Sequence, residues 1–94
     1  MTLDEFRKTL ADPAPPDLYL PLAALWWDAK GDWTRAHQCA QQLEDSEAAW
    51  VHAYLHRKEG DASNAAYWYR RAGKPPSSEP LDAEWLLIVK HLLK

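Results

Sequence analysis

The sequence is poor in the residues and segments on which disulfide-linked and membrane-spanning proteins depend. Only one of the 94 residues is a cysteine, Cys39, so an internal disulfide is excluded and a reducing compartment is expected. No apolar run approaches the roughly 20 residues that a transmembrane helix needs. The first residues show no basic segment followed by an apolar one, which argues against a secretory signal. We therefore expect a cytoplasmic protein that does not enter a membrane.

Signatures of nucleic-acid binding and of the common enzyme classes are also missing. The 11 basic residues are outnumbered by 14 acidic ones, and the net charge of −3 does not favour a nucleic-acid partner. The chain has no Gly-x-Ser-x-Gly motif, no phosphate-binding loop and no cysteine within a catalytic motif. These absences predict a non-enzymatic protein with no cofactor.

Hydrophobic residues are plentiful, at 47% of the chain, and they include six tryptophans. Prolines, glycines and capping residues divide the chain into short segments with helical spacing, and no segment alternates like a strand. The sequence therefore predicts an all-α fold in a single domain, residues 1–94. It predicts two helical hairpins at about 18–44 and 46–73, flanked by capping helices at about 2–11 and 80–93.

A Gly-Asp pair occurs twice, at 31–32 and at 60–61, which are 29 residues apart (60 − 31). Glycine suits the left-handed position that ends a helix, and aspartate caps the helix that follows. Each pair therefore predicts a short turn between two antiparallel helices. Ala36 and Ala65 each stand four residues after the aspartate, where a small side chain lets the two backbones approach closely.

The second copy carries a recognisable set of residues. The Gly-Asp pair at 60–61 is followed by Ala65, Tyr69 and Ala72, and then by a Lys-Pro-Pro segment. In these positions the chain resembles the tetratricopeptide repeat family, although Ala40 replaces the aromatic residue in the first copy and the spacing is shorter than the family's repeat of about 34 residues. The resemblance implies right-handed superhelical stacking of the two hairpins.

Tetratricopeptide arrays bind extended peptides or partner proteins on a concave side lined by the first helix of each pair. The resemblance therefore implies a groove for a peptide or protein partner, with one group of side chains from each copy. An aromatic pair followed by two cations would suit an acidic or carboxylate-ended segment. The groove residues expected on this basis are Leu25, Asp28, Trp50, Tyr54, Arg57 and Lys58.

A different function is suggested by His52 and His56, which stand four residues apart and therefore share a helix face. Together with the tryptophans they would make a metal-binding or small-ligand-binding protein. Ala53 stands where zinc peptidases of the His-Glu-x-x-His type have glutamate, so peptidase activity is not supported. The repeat alignment offers a rival interpretation, in which both histidines are spacers between helices. Further metal ligands would have to come from carboxylates or from His37, Cys39 and His91.

The last predicted helix is unusually apolar for a terminal capping helix, which normally has a polar outer face. Leu81, Trp85, Ile88 and Leu92 form one stripe along it, and further leucines widen that stripe. Such a helix either inserts deeply into its own domain or packs against another chain. A homodimer, or a structural subunit that docks through this helix, is therefore a third alternative.

Overall fold

The computed structural model describes residues 1–93, so Lys94, the last residue of the predicted domain, lies outside the described residues. The described chain is all-helical and contains no strand, which confirms the predicted fold class. Its six helices are α1 (Leu3–Thr9), α2 (Leu20–Ala29), α3 (Trp33–Ala40), α4 (Ser46–Lys58), α5 (Ala62–Ala72) and α6 (Leu81–Leu92).

Helix α1 begins at a capping box formed by Thr2 and Glu5. The Thr2 hydroxyl accepts a hydrogen bond from the Glu5 amide at 3.1 Å, and the Thr2 amide donates to the Glu5 carboxylate at 2.8 Å. Two amides that a helix start leaves without helical partners are thereby satisfied. The helix is fixed to the rest of the molecule by Phe6, whose side chain is fully buried next to Trp85.

The two Gly-Asp turns form as the sequence predicts. Gly31 and Gly60 have φ angles of +83° and +90°. Residues that carry a side chain rarely adopt this backbone conformation. Asp32 then caps α3 by accepting the Arg35 amide, and Asp61 caps α5 in the same way. Helices that follow one another across these turns pack closely, α2 on α3 and α4 on α5.

Helix α4 is the centre of the fold. It packs on α2, α3, α5 and α6, and all nine residues from Ala48 to His56 are buried. Small residues make this crowding possible, because Ala53 of α4 and Ala36 and Ala65 of its neighbours are almost completely buried. A helix buried on every side presents different faces to different neighbours, and two of those faces carry the candidate sites described below.

Helix α6 inserts one face into the domain, against α2 and α4. Ile88 and Val89 are fully buried, and the Trp85 indole donates to the Leu25 carbonyl at 3.1 Å. The opposite face is open to solvent at Leu87, which is 57% exposed. No helix among residues 1–93 has the length and apolar character that crossing a membrane requires.

Helix α3 ends at Ala40, whereas the sequence predicts that the first hairpin, and with it this helix, continues to about residue 44. The residues after it are needed to start the next helix. Asp45 adopts an extended backbone conformation, with φ −73° and ψ 168°, and accepts the Ala48 amide at 2.7 Å as the cap of α4. A helix continuing to residue 44 would leave too little chain to reverse direction before this cap.

Candidate functional site

The side chains expected to line a groove lie mostly beneath α6. Leu25, Asp28, Trp50 and Tyr54 are buried, whereas Arg57 and Lys58 are partly exposed at the C-terminal end of α4. The structure thus brings the six residues to one side of the α2–α4 pair. In the same place it adds α6, whose side chains contact several of them.

Asp28 is the centre of one polar network in this region. Its buried carboxylate accepts hydrogen bonds from the Tyr54 hydroxyl at 3.0 Å and from the Lys58 ammonium at 2.9 Å. Burial, and secondarily the neighbouring Asp28 charge, raises the pKa of Tyr54, so its hydroxyl stays protonated and remains a donor. These contacts link α2 to α4, and both oxygens of the buried carboxylate have partners.

Glu84 is the centre of a second network, and it comes from α6. Its carboxylate is only 2% exposed. It accepts hydrogen bonds from the Arg57 guanidinium at 2.8 Å and from the Tyr69 hydroxyl at 2.6 Å. A second nitrogen of Arg57 donates to the backbone carbonyl of Glu79. Burial and the Glu84 contact raise the pKa of Tyr69, which keeps that hydroxyl a donor as well. The chain's own α6 therefore supplies a carboxylate to Arg57.

Two open pockets lie beside these networks, on different faces of α6. The larger has a volume of about 520 Å³ and lies between α4 and α6. We call it the α4–α6 groove, and its lining includes Trp50, Lys74, Glu79, Leu87 and Lys90. The smaller, about 290 Å³, is lined by Asp28, Tyr54 and Lys58 together with Trp85. Of the predicted groove residues, Trp50 contributes to the larger pocket, while Asp28, Tyr54 and Lys58 contribute to the smaller.

Three histidines meet on the opposite side of α4. His37 of α3 and His52 of α4 have their Nε2 atoms 2.9 Å apart, within hydrogen-bonding distance. The third is His56, and one ring nitrogen from each of the three lies within 4.8 Å of the others. His52 and His56 are buried and His37 is half-buried. We call these three residues the histidine cluster.

Tryptophans hold the rings of the histidine cluster in place. Trp33 stacks on His37 with the ring centroids 4.9 Å apart, and Trp68 stacks on His52 at 3.9 Å. The Trp33 indole is itself fixed by a hydrogen bond to the Leu55 carbonyl at 2.8 Å. Stacked aromatic rings restrict the rotation of an imidazole, so His37 and His52 are positioned before any ligand arrives.

The protonation of the histidine cluster follows from its burial. Burial, assisted by the neighbouring histidines, lowers the pKa of His52 to about 4. Burial also lowers the pKa of His37, with a smaller contribution from His56, while Glu59 acts in the opposite direction. His52 and His37 are therefore neutral near pH 7, and neutral imidazole nitrogens can accept a hydrogen bond or bind a metal ion.

His37 is the member of the cluster that sequence spacing alone does not single out. Its position on α3 nevertheless contains a signal. Trp33, Ala36, His37 and Ala40 stand at the i, i+3, i+4 and i+7 positions of one helix face. Ala36 and Ala40 are fully buried, so a polar residue between them is placed towards the core rather than towards solvent.

Comparisons with known proteins add no identification. No protein-family model matches the chain, and no curated protein and no solved structure matches it either. The resemblance to tetratricopeptide repeats, including the superhelical stacking of the hairpins, therefore stays a prediction from the sequence.

Proposed function

We propose that this chain is a small, non-enzymatic protein-interaction module that binds a peptide segment of its partner in the α4–α6 groove. The observation that carries the proposal is the groove itself, a pocket of about 520 Å³ with an aromatic wall and an exposed leucine. Concave apolar surfaces with a few polar groups are the usual binding sites of folded domains.

The walls of the groove suit an extended segment with an apolar side chain. Trp50 contributes a largely buried indole, and Leu87, which is 57% exposed, lines the same pocket. Pro75 and Pro76 line the connection between α5 and α6. Because proline restricts backbone rotation, this wall loses little conformational entropy when a ligand binds.

The charges of the groove favour an acidic segment. Lys74 lies over the Trp50 ring, with its ammonium 4.4 Å from the centroid, and Lys90 extends from α6. Glu84, an acidic residue of the same lining, is already paired with Arg57, and Glu79 is left as the opposing carboxylate. A partner carboxylate placed between the two lysines would complement both, and the buried indole would receive a neighbouring apolar side chain.

The proposal is tested by selecting peptides from a random display library against the immobilised full chain and measuring their affinities by calorimetry. We expect selected peptides to combine acidic and apolar residues, and Lys74→Glu and Lys90→Glu each to weaken binding at least tenfold. Lys8→Glu is the matched control, because Lys8 is exposed on α1 and does not line the groove. Peptides that bind the Lys74 and Lys90 variants as tightly as the unchanged chain would refute the proposal.

A homodimer, which the sequence analysis gives as an alternative, can be tested at the same groove. An exposed Leu87 is also a suitable contact for a second copy of the chain. Multi-angle light scattering of the unchanged chain and of Leu87→Asp measures this directly. A dimer mass that changes to a monomer mass in the variant would assign the groove to self-association instead of peptide binding.

A further inference from the structure

We propose that the histidine cluster, His37, His52 and His56, is a binding site for a divalent transition-metal ion, with zinc as the ion it takes. The site lies away from the α4–α6 groove, because His52 and His56 occupy the side of α4 opposite Trp50 and Tyr54. It is therefore independent of the proposed function.

The spacing of the ring nitrogens fits a metal ion with a small adjustment. Zinc–nitrogen bonds of 2.0–2.1 Å in a tetrahedral site place neighbouring ligand nitrogens roughly 3.3 Å apart. The Nε2 atoms of His37 and His52 are 2.9 Å apart, and a nitrogen of His56 lies within 4.8 Å of both. Opening the first distance by a few tenths of an ångström and turning the His56 ring would complete the three-nitrogen set.

Glu59 selects the nitrogen that His56 would offer. Its carboxylate lies 2.7 Å from Nδ1 of His56, so that nitrogen carries the proton and donates. The nitrogen left for a metal ion is then Nε2. Metal-binding histidines commonly have such a carboxylate partner on their second nitrogen. Glu59 is thus a positioning residue for His56.

The charge and the solvent access of the cluster fit a metal ion. Imidazole binds a metal ion in its neutral form. Three imidazole ligands do not neutralise the charge of the ion. Glu59, which is hydrogen-bonded to the far nitrogen of the His56 ring, offsets part of that charge. His37 is half-buried, so a solvent molecule can reach the metal on its side and take the fourth position.

A packing role is the competing explanation of the cluster. Buried histidines do serve as hydrogen-bonded spacers, and His37 and His52 satisfy one another in this way. That explanation accounts for one pair, but it does not account for a nitrogen of a third imidazole within 4.8 Å of both. Three imidazole nitrogens within 4.8 Å of one another, with a carboxylate behind one of the rings, match the imidazole-rich sets that bind zinc.

The test is a calorimetric titration of the chelator-treated full chain with zinc chloride. We expect one ion per chain, and at least tenfold weaker binding in His37→Gln. His37 is the variant to use because it is the least buried of the three ligands. The matched control is His91→Gln, since His91 is the one histidine outside the cluster and lies partly exposed on α6. Glu59→Gln should weaken binding about 10-fold to 100-fold.

A measurement on the unchanged chain covers the case in which a variant folds poorly. Nitrogen-15 spectra of the imidazoles report which ring nitrogens an added ion contacts. We expect zinc to shift the ring signals of His37, His52 and His56 and to leave His91 unchanged. The absence of one-to-one binding, a shift confined to His91, or equal affinity in the His37→Gln and His91→Gln proteins would overturn the proposal.

Discussion

On one face of α4, Tyr54 and Arg57 contact the carboxylates of Asp28 and Glu84, whereas on the opposite face the neutral imidazole of His52 contacts that of His37. Both faces are buried polar surfaces on the same helix. On the first, each carboxylate receives two donors from the chain itself. On the second, the ring nitrogens of His37 and His52 have only each other as hydrogen-bond partners among the described residues.

This difference indicates what each face does. Oppositely charged groups that already pair within the chain hold α2, α4 and α6 together, and little binding capacity is left for another molecule. The neutral pair of His37 and His52 stabilises the fold less, because a hydrogen bond between neutral groups contributes only about 1 kcal/mol. The pair also keeps the ability to bind a cation. We therefore expect mutations on the first face to cause the largest losses of stability. The second face should instead be sensitive to protons and metal ions.

The largest effect is expected from Glu84→Ala. Removing this buried carboxylate deprives the Arg57 guanidinium of its opposite charge and the Tyr69 hydroxyl of its acceptor. Breaking a buried ion pair by deleting one partner typically costs about 3–5 kcal/mol. Because Arg57 remains partly exposed, we expect the free energy of unfolding to fall by about 3 kcal/mol, as measured by urea denaturation.

Asp82→Ala is the matched control for this change. Asp82 is an exposed carboxylate in the first turn of the same helix, where its negative charge suits the helix dipole. Its removal should lower the free energy of unfolding by about 0.5 kcal/mol. Equal losses for the two variants would show that Arg57 and Tyr69 do not hold α6.

The next effect tests the histidine face with protons. The pKa of His52 falls from an ordinary 6.5 to about 4 in the folded protein, so the unfolded chain binds the proton more readily. The stability that the protein owes to a neutral, buried His52 is fully present above pH 6.5. It is lost as the pH falls from 6.5 towards 4. For this group alone we expect unfolding to require about 2 kcal/mol less at pH 5 than at pH 7.

Urea denaturation at pH 5 and pH 7 measures this pH dependence, with His52→Gln and His91→Gln compared side by side. His91 is partly exposed and lies 3.3 Å from Glu47, so its replacement should leave the pH dependence caused by burial intact. His52→Gln should remove most of it. A pH dependence that survives in His52→Gln would mean that other groups cause it.

The fold could be predicted to a large extent because its signals are local. The capping box at Thr2 and the Gly-Asp turns each involve residues within four positions of one another, and local geometry decides their conformation. The end of α3 was predicted too late, because the competing requirement, the extended conformation of Asp45, belongs to the next helix.

The candidate sites depend on contacts between distant segments, and these limited the sequence analysis. The pairing of Arg57 with Glu84 joins residues 27 positions apart, and no spacing rule connects them. The cations at the end of α4 therefore suggested a groove for an external acid, where the structure has an internal one. In the same way, His37 joins His52 only through the packing of α3 on α4.

A smaller effect is expected from Tyr54→Phe, which removes one donor from Asp28 and leaves Lys58 in place. A buried acceptor that loses one of two partners typically costs about 1–2 kcal/mol. Thermal unfolding followed by circular dichroism measures the change. Trp33→Phe, which removes the indole donor to the Leu55 carbonyl on the histidine side, is the counterpart for comparison. A larger loss from Trp33→Phe would contradict the view that the carboxylate face holds the fold more firmly.

The smallest effect on stability is expected from Leu87→Asp, which changes the α4–α6 groove and neither polar network. Leu87 is 57% exposed on the outer face of α6, so a charged replacement should alter the free energy of unfolding by no more than about 0.5 kcal/mol. The same substitution places a carboxylate where the proposed acidic peptide would lie, and we expect it to weaken peptide binding at least tenfold. Urea denaturation and calorimetry on one protein sample measure both quantities. Unchanged binding would exclude Leu87 from the interface, and a large loss of stability would show that α6 depends on this residue for its packing.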